Sequence, residues 1–380
     1  MPGGIARAMG EIASCDPGLM VSTGTVPGSE AWDRTAPARV ARLGLPSARL
    51  QAIQGLIRWS HESRRLAERG GARFVWAGNL KPAGYVARWV GTKLRVPYGL
   101  IVYGLDVALL QRQVARSLRR RIVARAILGR AAGAVAISGA TAQRFVDLAR
   151  ELDLRLLGTR VRVIPLGADP TTFHPGVDPA PVAARYGIGP GPWLLTAARL
   201  VPHKGIDTAL RALATLPREI GYLIAGEGPD RPRLSALVAE LGLEDRVRFL
   251  GYVPDADLPG LHRLASLYVG LSREEGPEIE GFGLSLVEAA SSGRPVVAAA
   301  SGGIREAVAD RQTGLVVPPA DPVSAATAIR ALLEAPTLAD ALGRAGRSLV
   351  ESRLNWGRVV SDLAAAERAF SAGPAPRAAR

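Results

Sequence analysis

Residues 193–229 read WLLTAARLVPHKGIDTALRALATLPREIGYLIAGEGP, and this stretch decides the fold class. The apolar run WLLTA at 193–197 gives way to a polar turn holding Arg199 and the glycine-ended VPHKG of 201–205. Apolar residues then recur at helical spacing over 206–216, and a second short apolar run at 221–225 ends in GEGP. Strand, turn, helix and strand in that order form the unit of a parallel sheet with crossover helices. The alternation continues with helices predicted at 231–241, 256–265, 284–292, 304–309 and 322–334. Strands are predicted between them at 247–250, 267–270, 295–299 and 315–317. Such sheets bind ligands at the carboxyl ends of their strands, where these loops carry Gly, Arg, Lys and Glu.

The N-terminal half is also α/β, with strands expected at 19–22, 74–76, 99–103, 133–137 and 162–165. Two arginine-rich stretches, 56–69 and 111–130, read as helices, and the Pro- and Gly-rich segment 169–192 reads as a linker. In the second helix Val114, Leu118, Ile122, Ala126 and Leu128 form an apolar stripe beside Arg112, Arg116, Arg119, Arg120, Arg121, Arg125 and Arg130. That pattern fits either a basic amphipathic helix on an anionic membrane or a core-packed helix with a solvated outer face. Trp59, Trp76 and Trp89 read as core or cleft residues rather than membrane anchors.

The 380 residues, 48% hydrophobic and 22% charged, suffice for two domains with buried cores and exclude a largely disordered chain. The one cysteine, Cys15, cannot form an internal disulfide, and His61, His174, His203 and His262 show no metal-ligand spacing. No apolar run approaches the roughly 18 residues of a membrane span, and MPGGIARAMGE lacks the pattern of a secretory signal. The expectation is a cytoplasmic protein, at most peripheral on the inner face of a membrane. Residues 1–190 hold 27 basic and 12 acidic side chains against 21 and 22 in the remainder, so the net charge of +14 resides in the N-terminal half. A positive field there attracts anionic surfaces or phosphorylated acceptors.

The chemistry concentrates in Glu280-Gly-Phe-Gly-Leu-Ser-Leu-Val-Glu288. Gly281 and Gly283 open a helix whose unpaired N–H groups suit a phosphate, and glycine permits close backbone approach. Glu280 precedes the helix, facing whatever the phosphate carries; Glu288 lies about one helical turn or more further on, where a carboxylate can accept two hydrogen bonds from a ribose diol. The alternative is a Gly-rich helix start with a surface glutamate. Arg199 and Lys204 supply two cations at a strand's carboxyl end, suited to a pyrophosphate leaving group, or else form a solvated turn.

Residues 162–353 resemble the retaining GT-B glycosyltransferases of family 4. The matching stretches are VIPLGADPTTFHP, AARLVPHKGIDTAL, IAGEGPDRPRLSALVAELGL, VRFLGYVPDADLPGLHRLASLYVGLS, EGFGLSLVEAASSGRPVVAAASGGIREAV and TGLVVPPAD, in family order. The resemblance implies an α/β GT-B fold, two facing Rossmann-like domains with a cleft between them. It implies an N-terminal acceptor-binding domain at 1–175, a nucleotide-sugar-binding domain at 186–355, a C-terminal helix at 356–370 packing back on the first domain, and a disordered tail at 371–380. Arg199 and Lys204 would bind the donor diphosphate, and Glu280 the sugar hydroxyls. The backbone amides of Phe282, Gly283 and Leu284 would bind sugar and phosphate, Glu288 the ribose, and the backbone at Val253 the base.

Glu280, Arg199 and Lys204 would be the catalytic residues, with no metal and no cofactor beyond the donor. The implied reaction transfers a hexose with retention to a lipid-linked, polysaccharide or small-molecule acceptor. GDP-mannose is favoured because the loop 273–280 resembles that of lipid-linked mannosyltransferases, with UDP-glucose next.

The N-terminal half departs from the family pattern. Gly3-Gly4-Ile5-Ala6-Arg7 resembles the family's glycine-rich loop, which implies that Gly4 lies near the donor phosphates. That loop normally follows a central first strand, and here only Met1-Pro2 precede it. The expectation is a displaced start or a truncated chain, with two neighbouring strands left unpaired. Tyr103-Gly104 stands where the family often has His-Gly; Asp106 is a further candidate for acceptor contact, and Ser138 reads as a helix N-cap. Two other classes remain in view: a catalytically impaired scaffold of this fold, and a basic protein binding nucleic acid or a membrane surface. No aromatic-basic signature supports nucleic acid, and no such partner is expected.

Overall fold

In the computed structural model, which describes residues 4–25, 33–34, 36–43 and 49–372, the chain divides at Pro165. Pro165–Asn355 forms one unit; the chain before it and the segment from Trp356 onward form the other.

The N-terminal unit opens with the helix Gly4–Cys15 and carries β1 (Met20–Gly24), β2 (Arg39–Leu43), β3 (Val75–Ala77), β4 (Tyr98–Val102), β5 (Gly133–Ala136) and β6 (Val161–Val163). All pairings are parallel. Among the described residues they make two sheets, β1-β2 and β3-β4-β5-β6, and no described strand joins β1 to β3. Every residue of β4 and β5 is buried, as apolar strands covered on both faces must be. Leu100, Val102, Leu128, Phe145 and Leu148 form the centre of this core. The helix Trp356–Ala372 belongs to the same unit, and Phe370 fills the space over Gly133, where an added Cβ would stand 2.4 Å from the ring. Of the tail expected at 371–380, residues 373–380 lie outside the described residues.

Two local expectations are corrected in this unit. The start of the chain, read as a loop, forms the helix Gly4–Cys15 with Gly4 as its first residue; Gly3 lies outside the described residues. The stretch 111–130 is two helices, because Ser117 adopts an extended conformation and its hydroxyl accepts from Arg120 N, capping a new start. Leu105–Ala115 and Leu118–Leu128 result. The restart rotates the apolar stripe: Val114 and Leu128 are buried, but Leu118 is 74% exposed and Ile122 59%, and Ala124 and Ile127 face the core instead.

The C-terminal unit contains β7 (Trp193–Ala197), β8 (Gly221–Ala225), β9 (Val247–Gly251), β10 (Leu267–Gly270), β11 (Val296–Ala299) and β12 (Leu315–Val317). They pair in parallel in the order β12-β11-β10-β7-β8-β9. Leu194, Ile224, Leu267, Val269 and Val297 pack against helical residues such as Leu210 and Ile329 to form its core. The chain leaves β7 toward β8 and β9 on one side and returns to β10 on the other. The loops after β7 and β10 therefore diverge at a topological switch point, where a crevice opens in such sheets. The segment read as a linker is packed rather than free: Phe173 is buried, its carbonyl accepts from Ser291 Oγ at 2.7 Å and Arg347 Nη1 at 2.6 Å, and residues 180–186 are helical.

Candidate active site

The turn after β7 and the loop after β10 meet at that switch point. Gly205 has φ +65 and lies so close to Leu271 that a Cβ would fall 1.9 Å from its carbonyl oxygen. Only glycine satisfies both demands. Arg273 N donates to His203 O at 2.8 Å, which ties the two loops together.

Lys204 is thereby set against Glu280. Its Nζ donates to Glu280 Oε2 at 2.5 Å, and Ser272 Oγ donates to the same oxygen at 3.1 Å. Burial alone would raise the Glu280 pKa, but the charge and hydrogen bond of Lys204, with the Ser272 hydroxyl, outweigh it and hold the carboxyl below its usual value. The backbone of Glu280 is fixed too. Gly303 N donates to its carbonyl at 3.0 Å, and Gly302, at φ +55, approaches so closely that a Cβ would lie 2.1 Å from that oxygen.

Two residues further on, Phe282 is buried and Gly283 takes φ +91 as the residue before the helix Leu284–Ser291. Among the described residues no acceptor takes the N–H groups of Phe282, Gly283 or Leu284. Three free donors at a helix start form an anion site by geometry and by partial charge. Tyr268, whose hydroxyl donates to Ser285 Oγ at 2.7 Å, and Thr196 line a cavity of about 20 Å³ beneath Lys204 and Glu280.

Other predicted residues fall in different surroundings. Arg199 occupies the same turn as Lys204, exposed, with no carboxylate partner among the described residues. Val253 follows β9 and is buried. Glu288 is not a surface glutamate: it is 3% exposed, on the second turn of the helix Leu284–Ser291, with His262 Nε2 at 3.8 Å from its Oε2. The structure thus joins Lys204, Glu280 and the helix start, with Arg199 on the same turn.

In the N-terminal unit Gly4 starts the first helix. Asp106 is a backbone clasp there, accepting from Tyr103 N at 3.0 Å and Val107 N at 2.9 Å. Burial raises its pKa against those bonds. Tyr103 is buried, its hydroxyl without a partner among the described residues, and burial, followed by the charge of Asp106, pushes its pKa up, so it cannot replace a histidine base. Ser138 caps the helix Gly139–Glu151 by accepting from Thr141 N at 3.2 Å.

Sequence reasoning missed the clamp on the loop 273–280. His203 Nδ1 lies 2.7 Å from Glu278 Oε2, and Arg273 pairs with Asp207 at 2.7 Å, while a tight turn pairs Glu275 with Glu278. Burial, then the charge of Lys204, lowers the His203 pKa, with the Glu278 hydrogen bond opposing them. His203 adjoins Lys204 in VPHKG, but a partner 75 residues away leaves no trace in local pattern. Among the described residues no group of three or more His, Cys, Asp or Glu side chains is placed to hold a metal.

A family model described as glycosyl transferases group 1 matches residues 186–349. The chain is 33% identical over 292 residues to the GDP-mannose-dependent alpha-(1-6)-phosphatidylinositol monomannoside mannosyltransferase of Mycolicibacterium smegmatis, covering 74% of this chain and 72% of that protein. The chain belongs to the glycosyl transferases of group 1. It is an enzyme that moves a sugar from a nucleotide sugar. Another relative is the D-inositol 3-phosphate glycosyltransferase of Frankia alni, 39% identical over 204 residues, 49% of each chain. The fold is GT-B. It superposes on Anabaena Alr3699/HepE in complex with UDP and glucose with a TM-score of 0.78, at 21% identity over 96% of each chain. It also superposes on WaaG, a glycosyltransferase involved in lipopolysaccharide biosynthesis, with a TM-score of 0.68 at 18% identity over 98% of each chain.

Proposed function

We propose that this group 1 enzyme transfers mannose from GDP-mannose, with retention of anomeric configuration and without a metal, to a lipid-linked or saccharide hydroxyl. The observation that carries the reading is the Lys204–Glu280 contact beside three unpartnered amides at the start of the helix Leu284–Ser291. Cation, carboxylate and helix start together match a sugar diphosphate: negative charge at one end, hydroxyl donors at the other. The favoured sugar and base rest on the loop 273–280 and on the GDP-mannose dependence of the Mycolicibacterium relative.

In this reading Lys204 and Arg199 take the diphosphate with the amides of Phe282, Gly283 and Leu284. Glu280 accepts hydrogen bonds from the sugar hydroxyls, Glu288 binds the ribose diol, and the backbone at Val253 meets the base.

The acceptor oxygen bonds to the anomeric carbon as the bond to the diphosphate breaks, on the same face. The acceptor proton passes to the departing diphosphate oxygen. Lys204, Arg199 and the helix start stabilise the charge that develops on that group, and Glu280 holds the sugar in position for same-face attack. Titration calorimetry with GDP and UDP, followed by NMR of the product anomer, tests the proposal. Tighter GDP binding and an α product from the α donor support it. UDP preference would overturn the donor, and an inverted product would overturn the stereochemistry.

A further inference from the structure

The segment Leu258–Leu264 reads LPGLHRL, with one histidine among residues that face the core. Leu258 and Leu261 are buried there, and His262 is buried with them at 1% exposure. Neither of its ring nitrogens has a hydrogen-bond partner among the described residues. Leucine or phenylalanine would fill the space without burying two polar atoms, so packing alone does not account for an imidazole.

The surroundings fix the ring. Phe173 meets it edge-on with centroids 5.6 Å apart, and Tyr268 flanks it at 5.4 Å with the two planes tilted by 31°. Both aromatic residues are tied to the helix Leu284–Ser291: the Phe173 carbonyl accepts from Ser291 Oγ, and the Tyr268 hydroxyl donates to Ser285 Oγ. Glu288 lies on that same helix, four residues after Leu284 and so about one turn from the unpartnered amides at its start. Its Oε2 stands 3.8 Å from His262 Nε2. That is about 1 Å beyond a hydrogen bond, so a small turn of the Glu288 side chain closes the gap.

We infer that His262 is a positioning residue for the ribose of the donor. Its Nε2–H donates to Glu288 Oε2 and turns the carboxylate toward the ribose diol. A carboxylate offers two oxygens with about four lone-pair sites, so one taken by His262 leaves enough for both ribose hydroxyls. The contact also removes rotamers in which Glu288 faces away, and the aromatic pair keeps the imidazole from following. The inference rests on the assignment of Glu288 to the ribose.

Calorimetry with GDP and with 2′,3′-dideoxy-GDP, which lacks the diol, tests it. The wild type is expected to bind GDP at least about tenfold more tightly than the dideoxy form, the scale of hydrogen bonds to a charged group. His262→Phe keeps a ring but no donor. It should lose most of that preference while binding the dideoxy form as the wild type does. Two further variants separate donor position from bulk and decide the matter even where His262→Phe does not fold. In His262→Gln the amide N–H stands near the place of Nε2, and in His262→Asn near that of Nδ1. The first should keep the preference for the diol and the second should lose it.

A wild type that prefers GDP, with His262→Phe and His262→Asn preferring it equally, would overturn the inference and leave the ribose assignment standing. Equal weakening of both ligands would also overturn it, since a loosened core acts on both alike. No preference in the wild type would overturn the ribose assignment and the inference together. The pair UDP and 2′,3′-dideoxy-UDP gives the same comparison where UDP is the tighter ligand, so the result does not depend on the base.

Discussion

Lys204 Nζ and Glu280 Oε2 lie 2.5 Å apart, joining the turn after β7 to the loop ahead of the helix Leu284–Ser291 across 76 positions of sequence. Both side chains are largely buried, and Ser272 shares the carboxylate. The pair sets Lys204 and Glu280 in place before any donor arrives, so binding need not order them. Replacing Glu280 by Gln keeps the shape and removes the charge. Turnover is expected to fall roughly 10²- to 10³-fold, the scale of losing one electrostatic contact in an active site. Steady-state rates with saturating donor measure this, and an unchanged kcat would end the assigned role.

If Lys204 binds the diphosphate as proposed, Lys204→Ala removes a charge-assisted contact to it. Affinity for the nucleoside diphosphate should drop by about 10- to 100-fold. Calorimetry reads it directly, and equal affinity contradicts a diphosphate site at this turn. Because the two side chains touch, the double variant with Glu280→Ala should be non-additive in stability by about 0.5–3 kcal/mol.

Gly302 and Gly187 separate backbone strain from site geometry. Both have positive φ, +55 and +59, but a Cβ at Gly302 meets Glu280 O at 2.1 Å whereas at Gly187 it meets open space. Gly187→Ala should cost about 1 kcal/mol and leave the rate alone. Gly302→Ala should cost about 1–3 kcal/mol and also reduce kcat, because Glu280 must move. Equal rates in the two variants would show that the turn does not position Glu280.

His203 carries a pH signature. Burial and Lys204 hold its folded-state pKa below the ordinary 6.5, so the unfolded chain binds the proton more readily. Stability from neutral His203 is therefore complete above about pH 6.5 and lost as pH falls below it. His203→Gln should flatten the stability curve between neutral and mildly acid pH. Denaturant unfolding at several pH values checks this; parallel curves for the two proteins would refute it.

Ser138→Ala tests the N-cap at the start of the helix Gly139–Glu151. Loss of the N-cap bond to Thr141 N should cost about 1 kcal/mol with kcat unchanged. A large loss of kcat at unchanged stability would place the hydroxyl in the chemistry.

Much of the C-terminal unit was legible from pattern alone. Strands β7, β8 and β10 fall where their apolar runs end at Gly, Arg or Ser, because strands buried on both faces must be short and apolar throughout. Glu280, Lys204 and the glycine-opened helix were readable for a related reason: a helix start and a strand end are local features. The N-terminal unit was less legible. β2, reading Arg-Val-Ala-Arg-Leu, looks like ordinary polar chain, and the stretch 111–130 shows helical spacing on both sides of a cap that one serine decides.

Sequence by itself therefore determined the parallel-sheet class, the order of elements in the C-terminal unit and which residue types gather at its strand ends. Tertiary structure decided which of them touch. It brought Lys204 to Glu280 and His203 to Glu278, buried Glu288 beside His262, and turned Leu118 and Ile122 to the outside. Periodicity records which face of an element is apolar, whereas contact depends on where crossover helices return the chain, and residues 75 positions apart carry no local mark of that return.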